Sequence, residues 1–206
     1  MRHVLFCLVA TVVAAGDAQA QAGELIERTL AIVGTQVITL SDARAAVRLG
    51  LIEAERTADP TSVTQLLVDR ELILREVQRY APPAPSESSI DVRLDEIKKA
   101  LGGDGEWARL LEETAFTEVR LRAWVRDDLR AVAYLAQRFA SASTPTDAEI
   151  GLAFTEQRAE FDRAGTTFEQ AAPILRERIV VARRRELIAD WVSDLRRRTE
   201  VVILPK

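Results

Sequence analysis

The run Thr167 to Leu204, TFEQAAPILRERIVVARRRELIADWVSDLRRRTEVVIL, most constrains the fold of this chain. Its pattern predicts one long helix followed by a short strand. Thr167 and Gln170 have the spacing of a capping box, in which each side chain satisfies an orphan amide of the first turn. Pro173 lies near the start, where a missing N–H does least harm. Ile174, Val181, Ile188 and Leu195 recur every seven residues, with Arg178, Arg185 and Val192 between them. At about 1.5 Å per residue such a helix spans most of a small domain. It cannot bury its own seam, so earlier parts of the chain are expected to pack along it. Val201 to Leu204 is β-branched or apolar and needs a strand partner.

That partner is expected near the N-terminus. Leu30–Val33 and Val37–Leu40 are β-prone and flank Gly34-Thr35, and Gly at the first central position suits a type II′ hairpin. An isolated hairpin is marginal in water. A third strand at 201–204 would complete a small sheet joining the two ends of the chain.

Between these ends the pattern is helical. Ser41-Asp42 is expected to cap a helix running to about Ile52, weakened near its end by Gly50. Thr61 or Ser62 would cap the next, which reaches Tyr80 with Val63, Leu66, Leu67, Ile73, Leu74 and Val77 on its stripe. Arg70 interrupts that stripe and is expected to snorkel to solvent instead of bridging to an acid. Ala81-Pro82-Pro83-Ala84-Pro85-Ser86 is a stiff linker. Ser88 or Ser89 would cap a helix ending at Gly102-Gly103, and Trp107 to Leu111 marks a short one. Thr117 opens a longer helix carrying Leu121, Val125, Leu129, Val132, Leu135 and Phe139. Ser141 to Pro145 reads as a break. Thr146 and Glu149 form another capping box, and Gly165 ends that stretch. The expected fold is mainly α with one small sheet. Residues 24–80 and 167–206 form a terminal module around a helical segment at 86–165.

Residues 1–20 read as a secretory signal peptide. Arg2 and His3 are followed by an apolar run, Val4 to Ala15, too short to span a bilayer, which takes about 20 residues. Ala18-Gln19-Ala20 supplies small residues at a cleavage site, so the exported chain is expected to start at Gln21, with cleavage after Ala22 as the close alternative, and to act in the periplasm. Cys7, His3 and Met1 are the only residues of their types, so the remainder would have none of the three. That excludes an intrachain disulfide, a Cys–His pair, a Ser–His–Asp triad and the usual zinc ligand sets. Gly102-Gly103-Asp104-Gly105 lacks the Lys and Ser/Thr of a phosphate loop. Adjacent carboxylates such as Glu112-Glu113 and Asp127-Asp128 do not share a helix face. No catalytic residue, cofactor or metal is therefore expected. The net charge of −4 argues against a nucleic-acid partner. Arg183-Arg184-Arg185 and Arg196-Arg197-Arg198 would allow weak contact with a membrane surface. Both runs read more simply as helix surface paired with Glu186, Asp190 and Asp194.

The order of these features resembles the SurA-type periplasmic chaperone family. Arg28-Thr29-Leu30-Ala31-Ile32-Val33 through Val37-Ile38-Thr39-Leu40-Ser41-Asp42 resembles its opening hairpin and first helix. Leu66-Leu67-Val68-Asp69-Arg70-Glu71-Leu72-Ile73-Leu74 resembles its second. Thr146-Asp147-Ala148-Glu149-Ile150 and the final segment with Trp191 resemble the end of its core domain. The resemblance implies a helical peptide-binding domain that holds unfolded outer-membrane proteins without a nucleotide. Many members insert a parvulin prolyl isomerase domain before the last helix. Here only Phe161 to Thr166 lies between the two final helices, whereas a small domain takes on the order of 100 residues. Isomerase activity is thus the alternative reading and not the expected one, and an adaptor for one folded partner is a third.

A holdase must present apolar surface that a compact monomer would hide. Trp107, Leu110, Leu111, Phe116, Trp124, Phe154 and Phe161 are the candidate peptide-binding residues. Each alone reads as core; as a set, some are expected to line a groove.

Overall fold

The computed structural model describes residues 27–205. The expected signal peptide and its cleavage site lie outside them. Strands β1 (Thr29–Val33) and β2 (Gln36–Thr39) form the hairpin, and β3 (Val201–Ile203) pairs with β1 on its other side. Both pairings are antiparallel, with Ile32 opposite Val37 and opposite Val202. The expected union of the two chain ends is thus present. Gly34 has φ 59° while Thr35 stays at negative φ, as a type II′ turn requires. A Cβ on Gly34 would meet the guanidinium of Arg75, which would have to swing aside. The Arg75 guanidinium donates to the Val33 carbonyl at 3.2 Å and ties the hairpin to the helix beneath.

Strand β2 runs directly into helix α1 (Leu40–Arg48). The cap is therefore Thr39, two residues earlier than expected. Asp42 N donates to Thr39 Oγ1, and Thr39 N donates to Asp42 Oδ2, each at 3.2 Å. The helix also stops before Ile52. Gly50 adopts φ 61°, and its N–H and that of Leu51 return to the carbonyls of Val47 and Ala46, the paired bonds of a Schellman ending. Helix α2 (Thr64–Tyr80) lacks a side-chain cap. Thr61 and Ser62 turn their hydroxyls back to Asp59 instead, which closes the preceding turn.

After the proline linker, Ser86 caps α3 (Glu87–Leu101) by accepting from Ser89 N at 3.1 Å. The cap thus falls two to three residues before Ser88 and Ser89. Helices α4 (Asp104–Thr114) and α5 (Glu118–Arg138) follow, the latter capped by Thr117. The expected break at 141–145 is shorter, because Ala140–Ser143 forms a single turn, α6. Helix α7 (Asp147–Glu156) carries the expected Thr146–Glu149 capping box. Helix α8 (Arg158–Ala164) ends at Gly165, φ 65°. The long α9 (Phe168–Arg198) opens with Gln170 accepting from Thr167 N at 3.0 Å.

Three apolar clusters hold these elements. The first joins the sheet, α1, α2 and the C-terminal third of α9 through Val33, Val47, Val68, Leu72, Trp191 and Leu195. The second joins α1, α3, α4 and α5 through Leu49, Ile90, Leu110 and Leu121. The third is small: Ile150 and Phe161 against Ala171 and Leu175. The seven-residue seam of α9 is accordingly not one buried stripe. Leu195 is buried and Ile188 half-buried, but Ile174 is 46% and Val181 53% exposed. Leu175, one position round the helix, faces α7 and α8 in place of Ile174. The two ends of α9 pack on different bodies, and each chooses its own face.

Arg176 and three arginines of the two runs, Arg183, Arg196 and Arg197, form ion pairs within the chain. Arg176 pairs with Asp147 at 2.9 Å and Arg183 with Glu149, fastening α9 to α7. Arg196 pairs with Asp69 of α2 at 2.7 Å, and Arg197 with Asp194. Of the three expected partners, Asp194 alone forms an ion pair among the described residues, while Arg183 and Arg196 reach acids on α7 and α2.

Candidate functional site: an open apolar cleft

The cleft arises where α2 and α5 lie side by side. Each helix carries more apolar residues than one buried face can use. On α2, Leu67, Val68 and Leu72 turn into the first core, which leaves Leu66 and Ile73 on the flank. On α5, Leu121 and Tyr134 are buried, while Leu129, Val132 and Leu135 face sideways. Leu51 and Ile52 after α1 and Ile97 of α3 close the third side. The result is an open trough of about 570 Å³, within the size range of sites that hold small ligands or a few side chains. Leu66 is 42% and Val132 65% exposed, although both belong to apolar stripes.

The lining also carries charge, from Glu53, Asp69, Arg70, Arg93 and Asp128. Arg70 reaches across from α2, its Nε donating to Asp128 Oδ1 of α5 at 2.9 Å. Its guanidinium lies 3.5 Å from the centroid of the Trp124 ring and also donates to the Trp124 carbonyl at 3.4 Å. The expectation that Arg70 snorkels is therefore corrected. A planar cation stacked on an indole and hydrogen-bonded at its edge to a carboxylate satisfies its face and its charge together, and free solvent offers only the second. Burial pushes the Asp128 carboxyl above its ordinary range, and the facing Arg70 charge pulls it back. Burial also raises Glu71, with Arg70 and Arg75 opposing and Asp127 adding to the rise.

The seven expected peptide-binding residues do not share this trough. Trp107, Leu110 and Phe116 are buried in the second cluster, with Leu111 and Trp124 half-buried against it. Trp107 Nε1 donates to Glu118 Oε1 at 3.4 Å, and Phe116 meets Trp124 edge to face at 6.3 Å. Phe161 is buried in the third cluster, where half-buried Phe154 stacks on it at 5.2 Å and meets Phe168 at 5.3 Å. The set is thus divided between two cores. Trp124 comes nearest the trough, as the ring beneath Arg70. The aliphatic lining went unselected because helical spacing alone cannot tell a stripe that meets a core from one that meets a gap. The surplus of apolar positions on α5 was the available signal.

Among the described residues no group of His, Cys, Asp and Glu could hold a metal ion. No helix among them is long and apolar enough to cross a membrane. The sequence matches no family model, and no curated protein matches it.

Proposed function

We propose that the chain is a periplasmic, ATP-independent holdase of SurA-like type. In this reading it binds apolar segments of unfolded outer-membrane proteins in the α2/α3/α5 cleft. The observation that carries the reading is an open trough walled by leucine, isoleucine and valine side chains between α2, α3 and α5. Its lining offers apolar contact with little fixed hydrogen-bonding pattern, which suits many sequences held weakly. No covalent step and no nucleotide is needed. The signal-like N-terminus supports the compartment, and the order of motifs supports the family. The binding surface differs from the aromatic set expected from sequence: leucine, isoleucine and valine do the work, with Trp124 beneath.

The test is suppression of aggregation of a denatured β-barrel protein at near-stoichiometric ratio. Wild type is expected to protect. Leu66→Glu, which places a charge in the trough at an exposed position, is expected to lose most protection. Val119→Glu, exposed on α5 outside the trough lining, is expected to protect as wild type does. Absence of protection by wild type would sink the reading, and equal protection by Leu66→Glu would move the site elsewhere.

A further inference from the structure

Among the exposed apolar features of the described residues, two match each other. One is the cleft. The other is the exposed part of the α9 seam, where Ile174 and Val181 lie one heptad apart with Arg178 and Arg185 on the same stripe. The cleft wall on α2 has the same spacing, Leu66 and Ile73 with Arg70 between, and α5 faces it with Val125, Leu129 and Val132. Two helices presenting apolar residues at helical spacing make a groove into which a third helix packs.

The charges also correspond. Three carboxylates line the cleft, Glu53, Asp69 and Asp128, against Arg70 and Arg93. Arg196 holds Asp69, Arg70 holds Asp128, and Arg93 pairs with Glu96. Glu53 is exposed and has no ion pair among the described residues. On the seam, Arg185 is exposed and likewise without an ion pair there, and Arg178 meets only the amide oxygen of Gln157 at 3.4 Å. The unspent charge is negative on the cleft and positive on the seam.

The seam cannot reach the cleft of its own chain. Arg196 of α9 already touches Asp69 at the cleft edge. Val181 lies fifteen residues back along one continuous helix, about 22 Å away at the rise of an α-helix.

We propose that the cleft also receives the Ile174–Arg185 stripe of a second copy of this chain. A reciprocal pair, each seam in the other's cleft, closes with two-fold symmetry and uses the contact twice. The contact is small, so association is weak and concentration-dependent. It also covers the surface assigned above to clients, so the free holdase is stored as a dimer and released by dilution or by client.

The test is sedimentation equilibrium of the purified protein over a wide concentration range. Wild type is expected to pass from monomer to dimer. Val181→Glu and Val132→Glu, both at exposed positions, are each expected to weaken association at least tenfold, with unchanged circular dichroism. Glu53→Arg and Arg185→Glu should each weaken it, and the double variant Glu53→Arg/Arg185→Glu should restore it. A strictly monomeric wild type, or a dimer indifferent to Val181→Glu and Val132→Glu, overturns the proposal. Client protection is scored separately at dilutions where the wild type is monomeric. Association without protection supports the dimer and removes the holdase reading. Protection without association does the reverse.

Discussion

Replacing Arg70 by alanine tests how the two long helices are joined. Three interactions end together: the Asp128 ion pair at 2.9 Å, the stacking 3.5 Å over Trp124 and the bond to the Trp124 carbonyl. A partly desolvated cation–π contact contributes about 1 kcal/mol, and a hydrogen bond to a charged group about 1.5 kcal/mol. The Asp128 side chain is 39% exposed, so water compensates for much of the lost pair and the full cost of an orphaned buried charge does not apply. The expected loss is about 2–3 kcal/mol. With a urea m-value of about 2 kcal/mol/M for a chain of this size, the unfolding midpoint should fall by about 1–1.5 M. Arg70→Lys keeps the charge but loses the planar face and should fall between. A double-mutant cycle of Arg70→Met with Asp128→Asn should return a coupling of about 1 kcal/mol. A midpoint within about 0.2 M of wild type for Arg70→Ala would refute the argument, because it would mean that the guanidinium is solvated and the bridge carries nothing.

Other outcomes follow from the same structure. Gly34→Ala should cost about 1–2 kcal/mol, since it puts a side chain at φ 59° and drives Arg75 from the Val33 carbonyl; thermal unfolding measures it, and an unchanged Tm would contradict the close approach. Glu71→Gln tests a pH dependence. Burial raises the folded-state pKa of Glu71, so its favourable contribution is full below the unfolded value and lost as pH rises through the folded one. The variant should therefore raise Tm at neutral pH, with the gain vanishing near about pH 4, and a loss at neutral pH would reverse the reasoning. Leu175→Ala removes a fully buried side chain from the smallest cluster and should cost about 2–4 kcal/mol locally. Hydrogen exchange should then show α7, α8 and the start of α9 opening ahead of the sheet. Uniform acceleration throughout would mean that the three clusters unfold as one. A prolyl isomerase assay on an X-Pro peptide is expected to give only the slow uncatalysed rate.

Much of the architecture was legible because its signals are local. The glycines at Gly34, Gly50, Gly102 and Gly165 adopt positive φ and mark turns or helix ends that few other residues permit. The capping boxes at Thr146–Glu149 and Thr167–Gln170 lie where their spacing placed them. The closing strand found β1 because the hairpin was the best β-prone partner on offer. Cap positions at Thr39 and Ser86 were missed by a few residues, where several adjacent hydroxyls or acids compete for one amide.

What the linear pattern left open depends on neighbours distant in sequence. A seven-residue repeat says which α9 residues share a face, but not that the two ends of the helix rest on different bodies, leaving Ile174 and Val181 in water. Arginine in an apolar stripe snorkels unless an acid and an aromatic ring arrive together, and Trp124 and Asp128 are more than fifty positions from Arg70. Aromatic residues drew attention as a binding set, yet Trp107, Phe116 and Phe161 are buried in two cores, with Trp124 and Phe154 half-buried against them. The aliphatic residues left between the long helices became the open surface. Local backbone preferences act over a few residues, whereas burial is set by which surfaces remain after every element has packed.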